Sequence, residues 1–169
     1  MTPGISTSAY RYVGPEAIRA AAADAAPGTA IGRATDLSDW LAAHVADRED
    51  GATPATFVVT VDGILRIASR RSEHVACAGG QPVLAAGEIF FARGACVAVS
   101  NLSTGYCPRP DSYAAVAAAL ARAGIAHPPA YTAAFEFRRC PACGERNLVK
   151  DDHFACALCD AELPEMWNF

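Results

Sequence analysis

Four cysteines near the end of the chain constrain its folding more than any other feature. Cys140 and Cys143 form one C-x2-C pair, and Cys156 and Cys159 form a second pair after twelve intervening residues. Each pair is a short turn that presents two sulfurs, and four thiolates suit tetrahedral Zn²⁺ with no coordination position left open. The two pairs are therefore predicted to hold a structural zinc ion. A redox role for either pair is the alternative.

The segment between the pairs predicts the shape of this zinc site. It contains Leu148 and Val149, then an Asp-Asp turn, then Phe154, which is the pattern of a short hairpin. Gly144 follows the first pair, as a tight turn requires. We therefore predict a zinc ribbon and a packed tail over residues 138–169. Because four cysteines already close the site, His153 is predicted to be exposed and not to bind the metal.

Composition and charge exclude several classes of function. The chain has 169 residues, of which 52% are apolar and 19% charged, so it is globular and not disordered. Its net charge is −4, and acidic residues outnumber basic ones in the ribbon, so nucleic acid is not expected as a partner. No apolar run approaches the ~20 residues of a membrane span. The start of the chain lacks the apolar core of a secretory signal, so we expect a cytoplasmic protein.

Hydrophobic patterning predicts an α+β domain over residues 1–137. Apolar faces with Pro and Gly at their ends predict helices, which are placed over residues 14–28, 35–50 and 109–125. Alternation around Asp-Gly and Arg-Gly turns predicts hairpins over residues 55–70 and 87–100. A further strand, residues 131–138, leads into the cysteines. Because helices and strands are segregated along the chain, we expect an antiparallel sheet with flanking helices.

Two segments outside the ribbon contain the residue types of a ligand site. Residues 72–89 read SEHVACAGGQPVLAAGEI, and residues 100–110 read SNLSTGYCPRP. The glycines allow close backbone approach, while a histidine, an aromatic ring and hydroxyls together suit a ribose, a flat base and a phosphate. The candidate ligand-binding residues are His74, Gly79, Gly80, Glu88, Ser103, Thr104 and Tyr106.

A purely structural role is the alternative for the same residues. His74 would then bond the loop around residues 103–106, and Tyr106 would be a core ring with its hydroxyl on the backbone. Glu88 would be a solvated strand residue or the ion-pair partner of a nearby arginine. Cys107 is not expected to be an enzyme nucleophile, because Pro108 follows it and no third catalytic group is evident.

The two segments resemble a pattern found in a group of bacterial proteins, some of them toxin-like, and in plant IQ-motif calmodulin-binding proteins. There the pattern reads HSSFLAGG…AAGE…SGHYRP. Thr104 is an extra residue here, the histidine before the tyrosine is missing, and no IQ motif is present, so calmodulin is not implied. The whole chain also resembles uncharacterised actinobacterial proteins that carry the same ribbon tail. The matching positions are His74, residues 78–80, residues 85–88, Ser103, Gly105, Tyr106 and Pro108.

Three classes of function are open from the sequence. The first is a zinc-stabilised bacterial binding protein that holds a nucleotide-like or polar small ligand, or a protein segment, between His74 and Tyr106. The second is an ADP-ribosyltransferase-like enzyme using NAD. In it His74 would hold the ribose, Tyr106 would stack on nicotinamide and Glu136 would steady the oxocarbenium. The third is a protein–protein adaptor or immunity-type protein that uses the ribbon and residues 163–169 as its contact surface.

Overall fold

A five-stranded antiparallel sheet forms the centre of the molecule, which a computed structural model describes over residues 8–169. The strand order is β1-β3-β2-β4-β5, and every neighbouring pair is antiparallel. This confirms the predicted α+β class with an antiparallel sheet. The strands are β1 (Thr29–Ile31), β2 (Thr53–Thr60), β3 (Leu65–Ser69), β4 (Val83–Ala92) and β5 (Ala95–Val99).

Four α-helices flank this sheet within the described residues. They are α1 (Glu16–Ala22), α2 (Ala34–Ala43), α3 (His74–Cys77) and α4 (Tyr113–Arg122). The first two are shorter than the sequence predicted. No residue of α1 is buried, so little tertiary packing extends it, and α2 gives way to a 3₁₀ turn over Val45–Asp47. Between residues 8 and 169, no helix combines the length and the apolarity that crossing a bilayer demands.

Both predicted hairpins are present, and their turns have the expected backbone geometry. β2 and β3 are joined through Gly63, which has a φ of 81°. β4 and β5 are joined through Arg93 and Gly94, both with positive φ, which is the two-residue turn whose twist matches that of antiparallel strands. The short strand β1 was not predicted. It pairs with β3, so its formation depends on a contact more than thirty residues away in the sequence.

The two faces of the sheet carry separate hydrophobic clusters, because successive side chains of a strand point in opposite directions. On β2, Phe57 and Val59 join a cluster with α2 and α4. Val58 points the other way and joins a second cluster with α3 and Tyr106. Both segments of the candidate ligand site therefore pack against the same face of the sheet.

The C-terminal part forms a small sheet of its own. It contains β6 (Glu136–Arg139) and β7 (Arg146–Val149), which pair antiparallel with Phe137 opposite Leu148. Buried Cys140, Cys156 and Leu163 form its core. The strand predicted from residue 131 begins at residue 136, so the domain boundary predicted between residues 137 and 138 falls inside β6. That the ribbon is a separate unit stays a prediction.

Candidate functional site

The four predicted metal ligands converge at one point of the ribbon. The sulfurs of Cys140, Cys143, Cys156 and Cys159 all lie within 4.8 Å of one another. Each C-x2-C pair closes on itself in the same way: the N–H of Gly144 donates to the Cys140 carbonyl, and the N–H of Asp160 donates to the Cys156 carbonyl, both at 2.9 Å. Both donor residues have positive φ, 79° and 60°. Gly144 therefore performs the turn role predicted for it.

The sulfur geometry fits a tetrahedral ion. Sγ of Cys140 lies 3.6 Å from Sγ of Cys159, and Sγ of Cys143 lies 3.6 Å from Sγ of Cys156. A Zn–S bond of about 2.3 Å gives a tetrahedron edge of about 3.8 Å. A disulfide would need sulfurs about 2.05 Å apart. The cluster can therefore hold a metal ion such as zinc, and the ion would cross-link the two C-x2-C turns.

Several N–H groups point at the cysteine sulfurs. The backbone N–H of Cys143 donates to Cys140 Sγ at 3.5 Å, and the N–H of Leu158 donates to Cys156 Sγ at 3.4 Å. The buried amide of Asn147 also donates to Cys156 Sγ at 3.4 Å, while its oxygen accepts from the Ala157 N–H at 2.9 Å. Such outer contacts orient metal ligands and disperse thiolate charge.

These donors favour the thiolate form at two of the four cysteines, Cys140 and Cys156. Burial raises the pKa of Cys156, but N–H donors of the second turn and the Asn147 amide outweigh it and lower the pKa to about 6. The N–H of Cys143 likewise lowers the pKa of Cys140. Sequence reasoning missed Asn147, because a lone asparagine in a hairpin carries no signal of its own. His153 is exposed and outside the cysteine cluster, as predicted.

Side chains, and not strand pairing, join the ribbon to the 100–108 loop. The Arg146 guanidinium donates to the Thr104 carbonyl, and Nε1 of Trp167 donates to the Cys107 carbonyl at 2.8 Å. The Trp167 ring also meets the edge of Tyr10, with centroids 5.7 Å apart. The tail therefore folds back on the α+β domain.

A buried arginine holds the tail in this position. Arg138 is 5% exposed, and its guanidinium donates to the carbonyls of Pro164 at 3.1 Å and Glu165 at 2.6 Å. It also pairs with the Glu136 carboxylate at 3.0 Å. Glu136, the candidate third member of an ADP-ribosyltransferase-like trio, is thus engaged by an arginine of the ribbon.

The candidate segments meet where Gly87 faces the end of β5. A Cβ at Gly87 would lie 1.9 Å from the carbonyl oxygen of Ser100, so only glycine permits this approach. The close approach predicted for the glycine is therefore present here. Nε2 of His74 lies 2.9 Å from the Gly87 carbonyl and, facing an acceptor, carries the proton. Burial lowers the pKa of His74, so the ring is neutral in the folded protein near pH 7.

The inner residues of the 100–108 loop bond to the protein itself. Tyr106 is 1% exposed, and its hydroxyl donates to the Gln81 carbonyl at 2.8 Å. The hydroxyl of Ser103 accepts from the Tyr106 N–H at 3.3 Å. The ring of Tyr12 packs edge-on against Tyr106, with centroids 5.7 Å apart. A ligand would reach the Tyr106 ring only if Tyr12 moved.

The remaining candidates lie nearer the surface. Thr104 and Gly79 are exposed, while Gly80 and Glu88 are partly buried. Gly79 and Gly80 end α3 with positive φ, 61° and 77°, which a helix end favours. They line a small groove of about 190 Å³ beside α1, together with Arg19 and Val75. The structure thus brings His74, Gly87 and the loop together, with Thr104 as the outward-facing hydroxyl.

Asn101 is the residue of this region that sequence reasoning missed. Its side chain is fully buried and makes three hydrogen bonds: its amide donates to the carbonyls of Pro108 at 2.9 Å and Phe135 at 2.8 Å, and its oxygen accepts from the Phe135 N–H at 2.7 Å. It ties both ends of the loop to the segment entering the ribbon. An asparagine after a serine looks like ordinary turn composition, so only the fold reveals this role.

Cys107 lies inside the loop and is not an accessible thiol. It is fully buried with a φ of 46°, and its sulfur donates to the Thr104 carbonyl at 3.5 Å. Burial raises its pKa to about 12, so the nucleophilic thiolate is scarce.

No protein-family model, no curated protein and no solved structure matches this chain. The resemblance carried by His74, residues 78–88 and residues 103–108 stays a prediction, and function is argued from the site itself.

Proposed function

We propose that this chain is a zinc-stabilised binding protein with a nucleotide-like or polar-ligand site around His74 and the 100–108 loop. The four-sulfur cluster of the ribbon carries this proposal. Four protein thiolates leave no position for a substrate or water, so the ion would act as a cross-link and not as a catalyst. Zinc would thereby fix the ribbon residues that bond the loop, Arg146 and Trp167.

The ligand part of the proposal follows from how the loop is supported. Ser103, Tyr106 and Asn101 hold its backbone by internal hydrogen bonds, so the loop is a preformed surface. His74 supports the same surface from below through the Gly87 carbonyl. Ligand contact then falls to exposed Thr104 and to the side chains that surround it.

The metal is tested by its stoichiometry. We expect about one zinc per chain in protein purified without chelator, and clearly less in a Cys159→Ser variant, because one of four ligands is lost. Fewer than about 0.8 zinc per chain in the unmodified protein would contradict the assignment.

The ligand site is tested by calorimetric titration of zinc-loaded protein with NAD, ADP-ribose and ATP. His74→Ala should abolish binding, and the matched His153→Ala, in the exposed hairpin of the ribbon, should leave it unchanged. If the alanine variant does not fold, His74→Gln replaces it in the titration, because glutamine keeps a donor for the Gly87 carbonyl. Absence of binding by all three ligands would overturn the site. Turnover of NAD that is lost in Glu136→Gln would instead assign a transferase.

An adaptor is the second candidate, because the ribbon and tail expose two large apolar side chains. Leu158 is 69% exposed at the tip of the second C-x2-C turn, and Met166 is 80% exposed in the tail. Exposed apolar side chains mark a protein contact where they form a contiguous patch. An adaptor should lose partner binding in a Leu158→Ser, Met166→Ser double variant and be indifferent to His74→Ala.

A further inference from the structure

Two arginines flank a pair of aromatic rings on the surface next to the 100–108 loop. The Arg109 guanidinium lies over the Trp167 ring at 5.5 Å from its centroid, and the Arg139 guanidinium lies over the Phe169 ring at 5.1 Å. The two rings are 5.7 Å apart. All four side chains are partly exposed. This Arg109–Trp167–Phe169–Arg139 row is called the arginine–aromatic ladder below.

The ladder and the loop together form a locally cationic surface on an acidic protein. Arg146 adds a third guanidinium, which is anchored on the Thr104 carbonyl. Arg109 has a carboxylate partner, Asp111 at 3.1 Å. Over residues 8–169, neither Arg139 nor Arg146 forms an ion pair with an acidic side chain. The Arg139 guanidinium donates to the Gly144 carbonyl at 3.0 Å, so backbone carbonyls hold both groups. No carboxylate neutralises either group within the described residues, so their charge is available to an anion.

The ladder is held rigidly enough to serve as a site. The Asn168 amide pairs with both backbone groups of Arg139: the Arg139 N–H donates to Oδ1, and Nδ2 donates to the Arg139 carbonyl, both at 2.8 Å. Trp167 is fixed by its bond to the Cys107 carbonyl and by the edge of Tyr10. The backbone around both rings is thus fixed, and Arg139 is also held by the hydrogen bond from its guanidinium to the Gly144 carbonyl.

Adjacent flat rings with guanidinium groups on either side match a specific chemistry. Aromatic faces stack on nucleobases, and guanidinium groups form paired hydrogen bonds with phosphate oxygens. An extended strand would need a longer basic track, and acidic side chains outnumber basic ones in residues 138–169. The dimensions therefore suit one base with a short phosphate chain.

We propose that the ladder binds a nucleoside di- or triphosphate, with the base against Trp167 and Phe169 and the phosphates on Arg139 and Arg146 beside Thr104. This inference rests on the proposed function, because it names the ligand of the site that the ribbon and loop form. It assigns ligand contact to the tail and to Arg139 and Arg146, and it makes His74 a supporting residue.

The test is calorimetric titration of zinc-loaded protein with ADP, adenosine, pyrophosphate and a twelve-residue oligothymidylate. ADP should bind at least about tenfold more tightly than adenosine or pyrophosphate, since each carries half of the recognised groups. Arg139→Gln should weaken the binding of both ADP and pyrophosphate about tenfold. Phe169→Leu should weaken the binding of ADP and leave that of pyrophosphate unchanged. Arg33→Gln is the control, because Arg33 is a highly exposed arginine at the start of α2.

Three results would overturn the inference, and they separate it from the proposed function. ADP binding that is lost in His74→Ala but unchanged in Arg139→Gln and Phe169→Leu would leave the proposed site standing and remove the ladder from it. Tighter binding of the oligothymidylate than of ADP would assign a nucleic-acid strand as the ligand. No binding of any nucleotide would overturn both. Zinc content and melting temperature of every variant exclude loss of the fold as the cause.

Discussion

Asn101 is the single side chain on which the shape of the 100–108 loop depends most. Its three hydrogen bonds join Pro108, the start of the loop and Phe135; the bond to Pro108 is buried and the two to Phe135 are partly buried. Its removal strands two carbonyls and one N–H, and a buried group without a partner costs about 1–3 kcal/mol.

We therefore expect Asn101→Ala to lower the free energy of unfolding by about 3 kcal/mol. Urea unfolding of the zinc-loaded protein measures this. Thr104→Ala, an exposed change in the same loop, should stay within about 0.5 kcal/mol of the unmodified protein. A similar loss in both variants would show that the loop does not depend on the amide.

His74 predicts a specific dependence of stability on pH. Burial lowers its pKa below the value of 6.5 of an unperturbed histidine. Between the folded pKa and 6.5 the unfolded chain binds a proton that the folded chain does not, so stability falls as the pH falls through this window. Above it the ring is neutral in both states and contributes no pH dependence.

The expected result is a stability difference between unmodified protein and His74→Gln that shrinks from about pH 7.5 to about pH 5.5. Denaturant unfolding at several pH values, with zinc content checked at each, measures it. His153→Gln should show the full pH dependence of the unmodified protein, since His153 is exposed. If His74→Gln has the same pH dependence as His153→Gln, His74 is not the titrating group.

Among the elements, β4 and the chain after β5 are joined most tightly at Gly87. The Ser100 carbonyl occupies the position that a Cβ would take, 1.9 Å away, and both partners are backbone. Neither can rotate aside, so an alanine must separate β4 from the segment that follows β5. Such overpacking costs about 1–3 kcal/mol in ordinary cores and more where backbone must move.

Gly87→Ala should therefore lower the free energy of unfolding by about 3 kcal/mol or more and weaken any ligand binding at the loop. Gly32→Ala is the matched control. A Cβ there would find its nearest neighbour, Oδ2 of Asp36, at an ordinary 3.7 Å, and its backbone has no positive φ. A Gly87→Ala protein as stable as Gly32→Ala would mean that the two segments are not in close contact in solution.

The elements that the sequence predicted correctly are those that depend on local chemistry. Turn residues specified the hairpins of β2–β3 and β4–β5, and cysteine spacing specified the four-sulfur cluster. The missed elements depend on distant partners. β1 exists because β3 pairs with it, and the single turn of α3 is held by packing on the sheet. α3 has only four residues, which are too few to show the period of hydrophobicity that indicates a helix.

The candidate site follows the same division. The sequence identified the metal ligands and the two segments that meet at Gly87, because each has its own local pattern. It did not identify Asn101, Asn147 or Arg138, whose partners lie in other segments of the fold. For Tyr106 the sequence left two readings open, and the fold confirms the structural one, a core ring with its hydroxyl bonded to the backbone.

At the scale of the whole molecule, we expect the ribbon to depend on metal and the five-stranded sheet not to. Zinc binding contributes roughly 10–16 kcal/mol to the folding free energy of small Cys-rich domains. The hydrophobic contacts of so small a core contribute less. None of the strand pairs of the five-stranded sheet involves β6 or β7. Metal loss should therefore release the ribbon and tail while the sheet persists.

We expect chelation of zinc to shift Trp167 fluorescence to longer wavelength with little change in the far-ultraviolet circular dichroism of the sheet. The chain has two tryptophans, and the other one, Trp40 of α2, is buried in the core of the sheet domain. The shift should therefore vanish in Trp167→Phe. A shift that persists in Trp167→Phe, or a global loss of structure on chelation, would contradict separate dependence on the metal.

The contacts of Tyr10 affect how the chain can fold while it is being synthesised on the ribosome. Its backbone pairs with Val83, its hydroxyl accepts from the Arg109 N–H, and its ring meets Trp167. Three partners spread over most of the chain emerge at different times, so an early-synthesised segment completes its contacts only after the tail has been made. Until then, the sheet face beneath Tyr10 and Tyr106 is uncovered. Nascent chains stalled before residue 138 should accordingly present this apolar face to chaperones, and the tail around Trp167 should cover it last.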